Sequence, residues 1–381
     1  MSILSSKLPG IGTNIFTTMS QLATEYKAIN LAQGFPDFET NPKLISLINK
    51  AYAGDHNQYA PMAGIMSLRE RISEKFENLY NVSYNPDTEI TITAGGTQAI
   101  FTAIASVISP GDEAIIFEPA YDCYGPTVKL FGGLVKTYEM APPDFKIDWQ
   151  IVKKLISVNT KLIVLNSPHN PTGTLLGPED FRELQRITAG TDILILSDEV
   201  YEHITFDGHK HITTASYPEL RERSFIVASF GKLLHATGWK MGYCLAPENL
   251  MKEFRKTHQF NVFCVNNPMQ WAIAEFLKSK DAYSDINGLF QQKRDFFKDL
   301  LKGSKFALLP CNGSYFQCVS YENISDEKDL VFAERLIKDY KVAGIPISSF
   351  YQRNTDNNLL RFCFAKKNET LEKAAIQLLK I

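Results

Sequence analysis

The sequence contains no long run of apolar residues. Its first residues, MSILSSKLPGIGTNIF, lack the apolar stretch of a signal peptide, and nothing further along approaches the length of a membrane-spanning segment. Cysteines are few, six in all, and none forms a CxxC pair. A disulfide framework is therefore not expected, no metal site is predicted, and the cysteines are interpreted as reduced thiols of a cytoplasmic protein.

An excess of charge of either sign is also missing. The chain has 40 lysine and arginine residues against 42 aspartate and glutamate residues, a formal net charge of -2. Such a balance gives no electrostatic reason to expect binding to nucleic acid or to an anionic membrane. Repeats, low-complexity tracts and a linker rich in proline or glycine are absent too, so the 381 residues are expected to form two closely packed domains.

What the sequence does contain is a repeated unit of apolar strand, turn and helix between about Glu89 and Pro247. Such alternation indicates an α/β fold with a mostly parallel sheet that is covered by helices on both faces. The strand candidates are EITIT (89–93), EAIIFE (113–118), KLIVLN (161–166), DILILSDE (192–199), SFIVASF (224–230) and MGYCLAP (241–247). After Pro247 the pattern is helical to about Lys302 and mixed beyond it, which predicts a smaller α+β domain.

Three of the predicted strands end in polar segments, which a purely structural sheet does not require. TAGGTQAI places Gly95 and Gly96 before a helix, where backbone N–H groups can bind an anion, although such turns are also common as plain structure. LNSPHNPTG carries Asn170, which alone could simply start a turn. ILSDEVYEHI carries Asp198, which needs a cation if it is buried but could also cap a following helix.

A fourth strand end supplies the residue that decides the interpretation. In SFGKLLHATGWKMGY, Lys232 follows an apolar strand, although an exposed, solvated lysine is the default for this residue type. At the edge where the strands end, it joins Asp198, Asn170 and the Gly95–Gly96 turn. Pyridoxal phosphate requires an amine that bonds its aldehyde, a carboxylate for its pyridinium nitrogen and a cradle for its phosphate. The combination predicts a pyridoxal-phosphate site.

Eight segments extend this pattern over nearly the whole chain. In order they are LAQGFPDF (31–38), NQYAPMAG (57–64), TAGGTQAI, EPAYDCY (118–124), NSPHNPTG, SDEVYEHITFDG (197–208), SFGKLLHATGWKMGY and LRFCFAK. With them the sequence resembles the class I/II pyridoxal-phosphate-dependent aminotransferases of fold type I, in the methionine and kynurenine aminotransferase branch. The resemblance implies a large domain, residues 46–280, with a mostly parallel seven-stranded sheet flanked by helices. Residues 1–45 and 281–381 would form the small α+β domain.

The resemblance also implies roles around the cofactor ring. Lys232 would bind the cofactor covalently and then move the α-proton of the substrate. Asp198 would pair with the ring nitrogen, and Asn170 and Tyr201 would hydrogen-bond the phenolic oxygen of the ring. Tyr121 would stack on the ring face, with an ordinary core position as the alternative. The segment of Tyr201 could instead continue into a helix.

For the phosphate, the resemblance implies a site made of Gly95, Gly96, Thr97, Ser229 and Lys240. Many class I relatives have an arginine at the last of these positions. Lysine binds phosphate as a point charge, without the two-pronged geometry of a guanidinium. The methionine and kynurenine branch also shows lysine there, so the departure supports that branch.

Substrate contacts are implied at Arg361, Asn170 and Gly34. Arg361 would clamp the α-carboxylate with its planar guanidinium, although an arginine in a strand can also face solvent. The backbone of Gly34 would assist from the other side. Tyr59 would reach the phosphate in the site of the neighbouring subunit, which implies a homodimer with shared active sites.

The implied activity is transfer of an α-amino group to a 2-oxo acid in a ping-pong cycle. The stretches expected near the pocket, GTNIFTTM and NQYAPMAG, are mainly apolar or aromatic and hold no second arginine. Methionine and aromatic amino acids, with kynurenine as a further candidate, are therefore expected over aspartate. The alternatives are a β-lyase acting on cysteine S-conjugates, a non-catalytic regulator that binds pyridoxal phosphate or amino acids, and an inactive interaction protein.

Overall fold

The computed structural model describes residues 5–279, 283 and 285–381. Its α-helices are Ile15–Glu25, Pro42–Ala53, Met66–Tyr80, Gly96–Val107, Tyr124–Leu130, Trp149–Leu155, Pro178–Thr188, Pro218–Arg221, Phe230–Leu233, Glu248–Asn261, Asn267–Phe276, Ile286–Leu300, Asp329–Tyr340 and Asn368–Leu378, with 3-10 turns at Thr214–Ser216, Thr237–Trp239 and Ile347–Phe350. None of the described helices is both long and apolar enough to cross a membrane.

The strands are numbered in chain order. They are β1 (Ile29–Asn30), β2 (Ile90–Thr93), β3 (Glu113–Glu118), β4 (Leu134–Glu139), β5 (Thr160–Asn166), β6 (Leu194–Asp198), β7 (Ser224–Ser229), β8 (Gly242–Leu245), β9 (Ala307–Leu308), β10 (Phe316–Ser320), β11 (Val342–Ala343), β12 (Ile345–Pro346) and β13 (Leu359–Cys363). The large sheet has seven strands in the order β2-β8-β7-β6-β5-β3-β4. Only β8 runs against its neighbours in this sheet, so the mostly parallel seven-stranded sheet predicted above is confirmed.

Consecutive residues of the central strands pack into different hydrophobic clusters. Ile163 and Ile195 belong to one cluster, whereas Leu162, Val164 and Leu196 belong to another. Because side chains alternate across a strand, these clusters lie on opposite faces of the sheet. Burial of both faces explains why these strands have continuous apolar sequences.

The edge strand β4 is missing from the sequence-based prediction. Its six residues, LVKTYE, are exposed or half-buried along the whole strand. Strand β4 pairs with β3 alone, at one edge of the sheet. An edge strand does not need a continuous apolar run, so the signal that identifies the central strands is absent there.

A second sheet is antiparallel and has the order β12-β13-β10-β9. The N-terminal segment contacts the C-terminal part of the chain. Strand β1 pairs in parallel with β11 in a separate two-stranded sheet, and the Cys363 N–H in β13 donates to the Leu31 carbonyl at 2.8 Å. The domain boundary expected at 45/46 stays a prediction. The boundary expected at 280/281 lies outside the described residues.

The strand order brings several polar strand ends to one edge of the large sheet. Asn166 at the end of β5 pairs in register with Asp198 at the end of β6. Thr93 at the end of β2 and Ser229 at the end of β7 both pair with Gly242. These carboxyl ends of parallel strands are where open α/β sheets place their ligands.

Candidate active site

A cavity with a volume of ≈ 290 Å³ opens at this carboxyl edge. Its wall contains every residue that the family resemblance implies for the site, except Tyr59. They are Gly34, Gly95, Gly96, Thr97, Tyr121, Asn170, Asp198, Tyr201, Ser229, Lys232, Lys240 and Arg361. Tyr59 is not part of this wall, and 82% of its surface is exposed.

Lys232 reaches the cavity from a short helix, Phe230–Leu233, that follows β7 directly. Its Nζ donates to the Tyr315 hydroxyl at 2.6 Å and to the Gly34 carbonyl at 3.4 Å. Desolvation lowers the pKa of the Lys232 amine to about 8, and the positive charges of Lys240 and Arg361 act in the same direction. Near pH 7 a larger fraction of such a lysine is neutral than of an exposed lysine. The neutral amine is the form that acts as nucleophile and base.

Asp198 closes β6 and is only 3% exposed. One carboxylate oxygen accepts from the Tyr124 hydroxyl at 2.6 Å, and the other accepts from the Val200 N–H at 3.3 Å. Burial raises the pKa of Asp198 to about 6. Turn residues rather than a helix follow, so Asp198 does not cap a helix. A buried carboxylate without an ionic partner is costly unless a cation binds opposite it.

The glycine turn before the helix Gly96–Val107 forms a cradle. Gly95 has a φ of +82°, and a Cβ atom there would lie 3.3 Å from Nζ and Cε of Lys240. At Gly96 a Cβ atom would lie 2.9 Å from the Val200 side chain. The glycines therefore keep the helix N-terminus open toward Lys240. In the first turn of that helix, the Thr97 hydroxyl lies 3.2 Å from the Tyr121 hydroxyl. A helix N-terminus and an ammonium group together favour an anion such as phosphate.

Arg361 lies in β13 and is only 1% exposed, so the solvent-facing alternative is wrong. Its Nη1 donates to the Asn170 Oδ1 at 2.7 Å and its Nη2 to the Ala32 carbonyl at 2.8 Å. Its Nε is buried and has no hydrogen-bond partner among the described residues. The guanidinium carbon lies 3.8 Å from the ring centroid of Phe316. This is a buried cation with donor capacity left over, and a carboxylate would satisfy it.

Tyr121 and Tyr201 both line the cavity. Tyr121 is half-buried on the loop after β3, where it packs against a hydrophobic cluster and also lines the cavity. Tyr201 lies in a turn and not in a helix, and its ring meets that of Tyr315 edge to face at 5.1 Å. Burial raises the pKa of the Tyr201 phenol, so this hydroxyl keeps its proton near neutral pH.

Three contacts of the site were not predicted from the sequence. Asn166 donates to the Asp198 carbonyl at 2.8 Å, Tyr124 donates to the Asp198 carboxylate, and Tyr315 contacts Lys232. Asn166 could have been found, because it is a polar residue that ends an apolar strand beside Asp198. Tyr315 gives no such signal, since it is 83 residues from Lys232 along the chain and meets it only through tertiary packing.

Comparison with known proteins identifies the family. The model of the family "Aminotransferase class I and II" matches residues 26–378. The chain belongs to this family. It is 45% identical to the methionine aminotransferase of Escherichia coli K12 over 377 residues, which cover 99% of this chain and 98% of that protein. It is 32% identical to the kynurenine–oxoglutarate transaminase of Dictyostelium discoideum, with 99% of this chain and 96% of that protein covered.

Solved structures give the same assignment. A structure from Escherichia coli, reported with a methionine aminotransferase function, superposes with a TM-score of 0.97 at 44% identity, covering 100% of both chains. The Thermus thermophilus aspartate aminotransferase with maleate superposes with a TM-score of 0.91 at 28% identity, again over 100% of both chains. The fold is therefore fold type I, as predicted, and the protein is an aminotransferase. Family membership favours transamination over the β-lyase and regulator alternatives.

Aminotransferases of this family depend on pyridoxal 5'-phosphate, and the prediction of this cofactor is confirmed. The residues of the cavity fit it. The anion cradle at Gly95 and Gly96 suits the phosphate, the uncompensated carboxylate of Asp198 suits a protonated ring nitrogen, and the amine of Lys232 suits the aldehyde. Amino acids and 2-oxo acids are the substrates of such an enzyme.

Proposed function

We propose that this aminotransferase uses methionine and aromatic amino acids as amino donors, with kynurenine as a further donor, and a 2-oxo acid as acceptor. The proposal rests on the aromatic rings that surround the guanidinium of Arg361. Its guanidinium carbon lies 5.2, 3.8 and 5.2 Å from the ring centroids of Phe16, Phe316 and Phe350. Among the described residues of the cavity wall, Arg361 is the one arginine. A donor with a second carboxylate would find no second guanidinium there, whereas apolar side chains would find aromatic faces.

We further propose the roles of the residues that handle the α-carbon. Bound pyridoxal phosphate supplies an electron sink for the electron pair left when the α-proton departs. Lys232 takes that proton at Nζ as general base, for which its lowered pKa of about 8 is suited. Asp198 would keep the ring nitrogen protonated. Arg361 and Asn170, already hydrogen-bonded to each other at 2.7 Å, would hold the α-carboxylate together.

The remaining residues are proposed to hold the cofactor in place. Tyr121 would stack on the ring, Tyr201 would donate to its phenolic oxygen, and the backbone of Gly34 would contact the substrate from the opposite side. The phosphate would be bound by Gly95, Gly96, Thr97, Ser229 and Lys240. These roles rest on the family resemblance and on the fact that all these residues line one cavity.

A homodimer with shared active sites is also proposed. Tyr59 meets Phe263 edge to face at 5.3 Å, and Tyr59, Phe263 and Phe260 are 82%, 44% and 91% exposed. Exposed aromatic side chains such as the Tyr59–Phe263 pair, with Phe260 three residues away along the chain, mark an interaction surface, and a second copy of this chain is the proposed occupant. Sedimentation should give twice the monomer mass for the wild type, and Phe260→Asp should shift the protein toward the monomer. A wild-type monomer that is fully active would contradict the proposal. We also propose a cytoplasmic location, with which the six cysteines agree because none of them forms a disulfide with another.

Specificity is tested by competition between amino donors. The kcat/KM values of methionine, phenylalanine, kynurenine and aspartate are measured with one 2-oxo acid acceptor. Methionine and phenylalanine should exceed aspartate by about 100-fold or more, because a buried carboxylate without a partner is strongly disfavoured. Aspartate as the preferred donor would contradict the proposed specificity and leave the aminotransferase assignment intact.

A further inference from the structure

Tyr315 is a fully buried residue that directly contacts the active-site lysine. It immediately precedes β10, and its hydroxyl lies 2.6 Å from Lys232 Nζ. The same hydroxyl donates to the Gly34 carbonyl at 2.6 Å, and Nζ lies 3.4 Å from that carbonyl. The amine, the phenol and the carbonyl thus form one hydrogen-bonded group that joins three separate parts of the chain.

The direction of these hydrogen bonds follows from the single proton of the phenol. Because that proton is donated to Gly34, the phenol oxygen offers only lone pairs to Lys232 and therefore accepts from the amine. Burial also raises the pKa of Tyr315, so the phenol stays protonated. An acceptor beside an amine stabilises the ammonium form more than the neutral form.

The phenol oxygen is held in a fixed position by the packing of its ring. The ring centroid of Tyr315 lies 5.1 Å from that of Tyr201, 4.8 Å from that of Phe316 and 5.7 Å from that of Phe290. Aromatic contacts on several sides restrict the movement of the ring away from the amine. The cationic neighbours of Lys232, which are Lys240 and Arg361, cannot accept a hydrogen bond from it.

We propose that Tyr315 is a positioning residue for the proton transfer by Lys232: its hydroxyl holds the amine in place whenever the amine is not bonded to the cofactor. The inference rests on the proposed role of Lys232 as the general base. In the transfer, the lone pair of Nζ forms an N–H bond to the α-proton, and the electron pair of the broken C–H bond stays on the substrate. Tyr315 accepts a hydrogen bond from the resulting ammonium, while its own proton stays on the phenol oxygen and is donated to the Gly34 carbonyl. The phenol therefore neither gains nor loses a proton.

The test compares Tyr315→Phe with Tyr321→Phe in the holoenzyme. Each variant loses one buried hydroxyl and keeps its ring, since Tyr321 donates to the Glu327 carbonyl at 2.8 Å and stacks on Phe332 away from the cavity. Tyr315→Phe should lower kcat by about 10- to 100-fold, the range for a lost hydrogen bond to a charged group, with KM nearly unchanged. The isotope effect with an α-deuterated donor should increase. Tyr321→Phe should change neither value, while the two melting temperatures fall by similar amounts.

A second readout does not depend on activity. The rate at which the apoenzyme binds added pyridoxal phosphate, followed by visible absorption against pH, reports the pKa of the Lys232 amine. Because Tyr315 stabilises the ammonium form, Tyr315→Phe should move this profile to lower pH, and Tyr321→Phe should not. Identical pH profiles and isotope effects in both variants would overturn the inference about Tyr315. A wild type that never develops the visible band would instead overturn the proposed role of Lys232.

Discussion

Two groups of buried polar residues alternate along the segment SDEVYEH and differ in how their charges are paired. Asp198 and Tyr201 line the cavity together with Lys232 and Arg361, and we call this group the open site. No charged residue of the open site forms a salt bridge with another described residue. Glu199 and Glu202 belong to the second group, which lies outside the cavity wall.

In the second group every carboxylate has partners. Lys75 forms an ion pair with Glu202 and donates to the Tyr243 hydroxyl at 2.7 Å. Tyr80 donates to the other carboxylate oxygen of Glu202 at 2.9 Å. Burial alone would raise the pKa of Glu202, but the positive charge of Lys75 outweighs burial and holds that pKa below its usual value. We call Lys75, Tyr80, Glu202 and Tyr243, with the adjacent Glu199–His211 pair, the paired cluster.

Glu199 is satisfied in the same manner. One of its oxygens lies 2.8 Å from the His211 Nε2, and the other accepts from the Ser197 hydroxyl at 2.8 Å and from the Thr214 N–H at 3.0 Å. The buried charges of the two groups therefore have different roles. Paired charges fix the segment that carries Asp198, whereas charges without an ionic partner are retained where a ligand is to supply one.

The largest effect on stability is expected from breaking the paired cluster. Lys75→Met leaves the carboxylate of Glu202 buried without its cation, which should lower the free energy of unfolding by about 3–5 kcal/mol. Denaturant titration of the apoenzyme measures it. The double variant Lys75→Met with Glu202→Gln should recover part of the loss, because no uncompensated charge then remains. A loss below about 1 kcal/mol in the single variant would show that the pairing does not matter.

Two buried arginines differ in the same way, one in a salt bridge and one in the open site. Arg294 is 3% exposed and pairs with Asp207 through two hydrogen bonds of 2.6 and 2.7 Å. Arg361, in contrast, pairs with no carboxylate in the part of the chain that the structure describes. Arg361→Lys should lower kcat/KM for methionine by about 100-fold, mainly through KM, because the two-pronged contact to the α-carboxylate is lost. Arg294→Lys should lower the melting temperature and leave KM unchanged. Equal effects of both substitutions on KM would argue against a substrate role for Arg361.

The smallest of the three effects concerns Asp198 and pH. Its pKa is about 6 in the folded apoenzyme, above the value of about 3.9 for an unfolded chain. The folded state thus binds this proton more tightly, so the contribution to stability is complete below about pH 4 and is lost as pH rises through about 6, by roughly 2–3 kcal/mol. Asp198→Asn should flatten this part of the pH–stability curve, which denaturant titrations between pH 4 and 8 measure.

A matched control for Asp198 is Asp207, whose pKa is lowered mainly by its hydrogen bond to Arg294. The contribution of Asp207 to stability has the opposite pH dependence: it is present above the pKa of the unfolded chain and is lost as the pH falls. Asp207→Asn should therefore leave the loss of stability between pH 4 and 6 in place. If the loss of stability between pH 4 and 6 also persists in Asp198→Asn, the carboxylate of Asp198 is not an uncompensated buried charge.

The sequence allows most of the large sheet and its edge residues to be predicted, because central parallel strands are continuous apolar runs and their polar ends stand out. Asp198 and Lys232 are found in this way. The edge strand β4 is not, since it is too exposed to carry the signal. Tyr315 and the paired cluster depend on contacts between distant segments, such as Lys75 with Glu202, 127 residues apart. No local pattern encodes such contacts.

We propose that the open site holds pyridoxal phosphate on Lys232 and transfers an amino group. The most direct measurement is the visible spectrum of the purified protein with pyridoxal phosphate, before and after adding methionine, with Lys232→Ala as the control. We predict a visible band of lysine-bound cofactor in the wild type, its loss with methionine, its return with a 2-oxo acid, and no such band in the variant. A wild type without the band, or a band that neither methionine nor an aromatic amino acid changes, would contradict the account.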